Sequence, residues 1–168
     1  MRACAGVLFA LIWLAGCNVQ VSRGPSEALL PSQPGTQAQR DEVVGVALPI
    51  LATMDRGEFG QAWDASSQAM KDATNRFVFV KAMEISRKRL GQARPRDRGR
   101  VAFADQVDVG GPKGAYSIVE VDSEFGEAKV TEKVILVRES SVWKLAGYHM
   151  QSKVEFGADE SAEPEGAP

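Results

Sequence analysis

The 168-residue chain has one histidine, two cysteines and almost no net charge, with 20 Lys and Arg against 22 Asp and Glu. One histidine and two cysteines leave no ligand set for the usual structural zinc or iron–sulfur centres. The charge balance argues against a nucleic-acid binder, which would carry a marked basic excess. No cofactor motif is present. There is no Gly-x-x-x-x-Gly-Lys loop for phosphates and no Gly-x-Ser-x-Gly elbow for an acyl-enzyme. A membrane-spanning run is missing too: the one long apolar stretch, Ala3 to Ala15, falls short of the about 20 residues a spanning helix needs.

That stretch has the length of the h-region of a secretory signal, and Arg2 supplies the positive charge before it. It runs into Leu14-Ala15-Gly16-Cys17, which resembles the lipobox of bacterial lipoproteins. The resemblance implies cleavage between Gly16 and Cys17 and acylation of Cys17. At roughly 0.8 kcal/mol per buried methylene, several acyl chains hold a protein on a membrane where one barely does. Asn18 in place of Asp at the next position points, by likeness to enterobacterial sorting, to the periplasmic face of the outer membrane. With Cys4 removed and Cys17 modified, the exported domain would keep no thiol and rely on its core.

Four stretches follow from composition. Residues 1–16 are the signal. Residues 17–40 are the acylated cysteine and a Ser-, Pro-, Gly- and Gln-rich linker, a coil spanning on the order of 25 Å. Residues 41–154 form one domain, and residues 155–168 an acidic tail of disordered character. Within the domain, apolar spacing predicts three helices: Asp41 to Gly57, Glu58 to Met70 and Thr74 to Leu90. Pro49 interrupts the first, and Gly45, four residues back, can absorb a kink. Phe77, Val80, Met83 and Leu90 form the expected inner stripe of the third, and Ser66 and Ser67 the solvent edge of the second. After Arg100 the period changes to two. Strands are expected from Val101 to Val109, Ala115 to Glu124, Lys129 to Glu139 and Val142 to Val154. Their short connections, among them Gly110 to Gly114 and Ser140-Ser141, require antiparallel hairpins. The expected fold is α+β, about three N-terminal helices packed on a four-stranded antiparallel sheet.

Several elements occur together in order: Asp55, Trp63-x-Ala65-Ser66, Arg87-x-x-Leu90-Gly91, Gly110-x-Pro112-x-Gly114-x-Tyr116, Glu132 with Val134, and Trp143-x-Leu145-x-Gly147-Tyr148. In these the chain resembles the bacterial domain of unknown function 4019 family, from about Val43 to Met150. Phe77 stands where that pattern has a tryptophan and would keep a core aromatic. The resemblance implies an exported α+β domain with the cone shape of nuclear-transport-factor-2-like proteins, and it brings no activity with it.

Three groups of residues are candidates for function. Arg87, Lys88, Arg89, Arg94, Arg96, Arg98 and Arg100 form a basic segment opposed only by Asp97. It would suit anionic headgroups, an acidic partner or the chain's own acidic tail. Trp63, Tyr116, Phe125, Trp143 and Tyr148 are candidate pocket-lining aromatics. His149 is the only imidazole, and with Asp55, Asp64 or Glu84 it would make an acid–base pair inside a cone. The expectation is therefore a non-catalytic ligand- or partner-binding module of the cell envelope, held to the membrane through Cys17. The alternative is a small acid–base enzyme using His149.

Overall fold

The computed structural model describes residues 32–87, 90–96, 99–107, 112–126 and 128–152. Gly16, Cys17, the linker up to residue 31 and the acidic tail lie outside the described residues, as do Lys88, Arg89, Arg98, Gly110 and Gly111. The element order is α1 (Gln37–Asp55), α2 (Phe59–Asp64), α3 (Gln68–Ala73), α4 (Arg76–Arg87), β1 (Arg100–Ala104), β2 (Tyr116–Phe125), β3 (Ala128–Glu139) and β4 (Val142–Ser152). The fold is α+β. Among the described residues, no helix is long and apolar enough to cross a membrane.

α1 starts at Gln37 rather than Asp41 because Thr36 and Gln39 form a reciprocal capping box. Just before it, Gln33 exchanges two 2.8 Å backbone hydrogen bonds with Phe103, pinning the chain to the free edge of β1. Gly35 lies so close to the Phe103 ring that a Cβ there would stand 2.4 Å from it. The helix ends in a Schellman turn: Gly57, at φ +75°, donates to Met54 O and Glu58 donates to Thr53 O.

The single second helix expected from Glu58 to Met70 is two helices. Ser66 and Ser67 are buried rather than at a solvent edge. The Ser67 amide donates to Leu145 O of β4 at 2.9 Å, which takes it out of any helical ladder, while its hydroxyl caps α3 at Met70 N. The third expected helix is present as α4 with a different inner face. Phe79 and Arg87 are buried, Val80 and Met83 are half-buried against the core, and Phe77 is exposed. The sequence reading of Phe77 as a core aromatic is thus corrected.

The sheet is an antiparallel meander in the order β1-β2-β3-β4. β1 stops at Ala104, short of the expected Val109; beyond it the Gly114 amide donates to Asp105 O across the connection to β2. Ser140 and Ser141, at φ 48° and 69°, make the tight β3–β4 turn, where two left-handed residues match the strand twist. A bulge sets Leu145 opposite Leu136 but Gly147 opposite Ile135, leaving Ala146 as the extra residue. Trp143 and Leu145 face the helices before the bulge, and Tyr148 does so after it. The core joins Val43, Ala47, Leu51 and Met54 of α1 to Val119, Val121, Val134, Leu136 and Leu145.

Candidate functional site

Where the helices run off the inner face of the sheet, the apolar stripe gives way to charge. On β2, Ser123 continues the inward series Val119, Val121, and Phe125 follows it. On β3, Glu132 sits between Val130 and Val134 with 0% exposure. Asp55 is the last residue of α1, and Arg87 the last of α4. Arg96 comes from the segment before β1, which is fastened to the end of β2 by a hydrogen bond from Arg94 N to Glu124 O.

These side chains form one continuous network, in which the buried Arg87 Nε alone among their described nitrogen and oxygen atoms has no hydrogen-bond partner. Arg87 donates to Asp55 Oδ1 at 2.5 Å, to Tyr148 Oη at 2.7 Å and to Glu132 Oε1. Arg96 donates to Glu132 Oε2 at 2.6 Å and to Ser123 Oγ at 2.9 Å, and grips both oxygens of Asp55 at 2.5 and 2.8 Å. The Ser123 and Tyr148 hydroxyls each donate to Glu132 at 2.5 Å. Both guanidinium groups also lie over the Phe125 ring, at 5.3 and 5.6 Å from its centroid, a favourable cation–π arrangement where water is excluded. The arginine side chains are 6% and 7% exposed and that of Asp55 is 23%. Two positive and two negative groups thus cancel inside the protein.

The electrostatics keep protons fixed. Burial pushes the Asp55 carboxyl up, but hydrogen bonds and charge from Arg96 and Arg87 outweigh it and hold the group below the ordinary range. Burial and the nearby Glu132 carboxylate push the Tyr148 phenol well above 10. Burial works against both guanidinium charges, yet Glu132, Asp55 and Tyr148 more than compensate. A general acid or base works best with a pKa near the working pH. Here Asp55 and Tyr148 are driven away from neutrality in opposite directions, and together with the two arginines they form a polar wall.

That wall borders a cleft of about 410 Å³ lined by Met54, Asp55, Gly57, Phe59, Glu84, Arg87 and Gly91. A smaller cleft, about 280 Å³, is lined by residues including Gln39, Glu42, Phe103, Tyr116, Arg138 and Trp143. There Trp143 Nε1 donates to Glu42 at 3.0 Å. Among the described residues, no group of three His, Cys, Asp or Glu side chains is placed to hold a metal ion.

The five candidate aromatics therefore do not share one pocket. Phe125 and Tyr148 belong to the ionic network and Tyr116 and Trp143 to the smaller cleft. Trp63 stands apart on α2 beneath Lys71, with its Nε1 buried and without a partner among the described residues. The basic segment is also divided. Arg87 and Arg96 are internal, so they present no charge to a membrane or an acidic partner. Arg94 pairs with Glu124, and Arg100 with Glu120 and Asp122, at exposed positions. His149 is exposed and lies opposite Lys133 on the outer sheet face. Of its suggested partners, Asp55 is in the network, Asp64 pairs with Arg76 and Glu84 with Lys81, so among the described residues none of the three forms a pair with His149 inside the fold.

Sequence reasoning missed Ser123 and the role of Glu132. The signal was parity, since both occupy inward positions on otherwise apolar stripes. Residues 46–148 match the model of the family described as Protein of unknown function (DUF4019). The chain belongs to this family. Asp55, Arg87, Arg96, Ser123, Glu132 and Tyr148 all fall within the matched span, and Tyr148 is its last residue. In this DUF4019 chain the Glu42 partner of Trp143 lies before the span begins. No curated protein and no solved structure matches the chain.

Proposed function

We propose that this DUF4019 chain is a lipid-anchored, non-catalytic ligand-binding module of the bacterial cell envelope, tethered through Cys17 to the periplasmic face of the outer membrane. The observation that carries the binding role is the cleft beside the ionic network. Met54 and Phe59 give it an apolar floor, and Asp55 and Arg87 give it polar atoms held in place from behind by Arg96, Glu132 and Tyr148. Small-molecule sites combine an apolar lining with a few fixed polar groups, and this volume lies within their usual range. Because the network's charges already cancel, a charged ligand would unbalance it. The fitting ligand is a small uncharged amphiphile with a hydrogen-bonding head. We also read the fold as cone-shaped, in the manner of nuclear-transport-factor-2-like domains. The one-sided helical layer and the bend that the Ala146 bulge adds to β4 support that reading.

Native mass spectrometry of the full-length protein, extracted from membranes in mild detergent, tests the ligand. A reproducible added mass that is lost on denaturation and identified as a neutral amphiphile is expected. Bare protein, or an adduct that is strongly charged, refutes the proposal. Palmitate labelling tests the anchor separately. Label and membrane fractionation should both disappear in Cys17→Ala, and a labelled, membrane-bound Cys17→Ala protein would end the lipoprotein reading.

A further inference from the structure

Four large hydrophobic residues are exposed among the described residues, and three of them lie on α4: Phe77, Val78 and Ile85, at 71%, 52% and 75%. The helix buries Phe79 and Arg87 on its other side. Val78, the exposed Ala82 and Ile85 recur at i, i+4 and i+7, the spacing of the apolar seam of a coiled coil. A helix with apolar residues on opposite faces is normally covered on both.

We infer that this face of α4 pairs with the same face of a second copy of the chain, antiparallel, about a two-fold axis beside Ala82. The pattern is self-complementary. Val78 and Ile85 lie at equal distances from the midpoint between Lys81 and Ala82. Reversal about that midpoint sets Val78 against Ile85 of the partner subunit and Ile85 against Val78 of the partner subunit, the mutual exchange that a closed dimer requires. Ala82 at the crossing is small enough to let the two backbones approach.

Charge fits the same operation. Lys81 and Glu84 flank the seam, 2.6 Å apart. Antiparallel pairing brings each within reach of its opposite on the other copy, giving a neutral cluster of four groups beside the apolar contact. The 12-residue helix is about 18 Å long. One such helix pair buries less than the ~1,200 Å² of a standard stable interface. The dimer is therefore weak and reversible.

The test uses the full chain with both native cysteines, Cys4 and Cys17, replaced by serine, so it is independent of the lipid anchor. Ala82→Cys, at an exposed position, should form a disulfide-linked dimer under mild oxidation. Asp72→Cys, exposed on α3, serves as the control and should not. Adding Ile85→Glu to Ala82→Cys should lower the dimer yield at least tenfold, with the circular dichroism spectrum unchanged. Equal cross-linking of Ala82→Cys and Asp72→Cys overturns the inference, and so does a yield that Ile85→Glu leaves intact. Flotation with phosphatidylethanolamine–phosphatidylglycerol vesicles that depends on Ile85, while Ala82→Cys stays monomeric, overturns it as well and assigns the face to lipid.

Discussion

Glu132→Gln keeps the shape of the side chain and removes one charge from the centre of the network. The Glu132 carboxylate accepts from four donors: Arg87 and Tyr148 on one oxygen, Arg96 and Ser123 on the other. An amide presents one acceptor and one NH2, so whichever way it turns, an N–H group meets a guanidinium donor. Ser123 can rotate to accept, but neither arginine can. Two guanidinium groups, each under a tenth exposed, would then share Asp55 as their one counter-charge in the network. Removing one partner of a buried ion pair costs about 3–5 kcal/mol. For a domain of this size that lowers the melting temperature by roughly 10–20 °C. Urea unfolding followed by circular dichroism reads the loss as a shift of midpoint at constant slope. A second arm tests the cause. Glu132→Leu with Arg87→Met deletes a cation and an anion together and leaves the two-point Arg96–Asp55 contact in place. The double variant should recover at least about 2 kcal/mol relative to the sum of the two single changes, as expected for residues in one network. A loss below about 1 kcal/mol for Glu132→Gln, or strict additivity in the pair, would refute the claim that these charges are dry and mutually dependent.

The pH limits follow from the same groups. The folded-state pKa of Asp55 is depressed, so its contribution is present above the ordinary carboxylate value of 3.8 and is lost as pH falls through the lower folded value. Stability should therefore decline below about pH 4, and the acid limb of the urea midpoint should flatten in Asp55→Asn. The Tyr148 pKa is raised, so its contribution is intact below pH 10 and lost as pH rises beyond that. Tyr148→Phe should reduce the fall in urea midpoint above pH 10, and phenolate absorbance of the folded wild type should appear at higher pH for this residue than in unfolded protein. Gly45, inside α1, has nothing within 4 Å of where a Cβ would stand. Gly45→Ala should raise stability by about 0.5–1 kcal/mol; a loss instead would show that the Pro49 turn needs glycine there. Trp143→Phe removes the hydrogen bond to Glu42. It should cost about 1 kcal/mol from that bond, plus a packing loss, which the same urea unfolding measures.

The meander was legible because its information is local. Period-two alternation and short connections leave a chain few other ways to pair. The break between α2 and α3 was not legible, because the acceptor that draws the Ser67 amide out of the helix is Leu145 O on β4. The inner face of α4 was ambiguous for another reason. The sequence offers apolar residues on two sides, and periodicity cannot rank one above the other. What orients the helix is Arg87, whose partners Asp55, Glu132 and Tyr148 come from three other elements. The basic segment misled in the same way. Read along the chain it is opposed by Asp97 alone, yet Arg94, Arg96 and Arg100 find their acids on α1, β2 and β3.

Parity carried more than was taken from it. Trp143 and Leu145 face inward at odd positions and Tyr148 at an even one, which no regular strand allows; the bulge at Ala146 reconciles them. Likewise Glu132 falls on the stripe of Val130, Val134 and Leu136, and a carboxylate there has to be buried and paired. The placement also bears on how the chain chooses its register. If β3 slipped by one residue, Thr131 or Lys133 would replace Glu132 on the inner face, and every apolar neighbour would turn outward. Lys133 would then meet Arg87 and Arg96 as a third buried cation. An apolar residue at 132 would penalise such a slip only through burial, while the carboxylate adds the cost of leaving two buried arginines short of a partner. The network would therefore add to the penalty for such a slip.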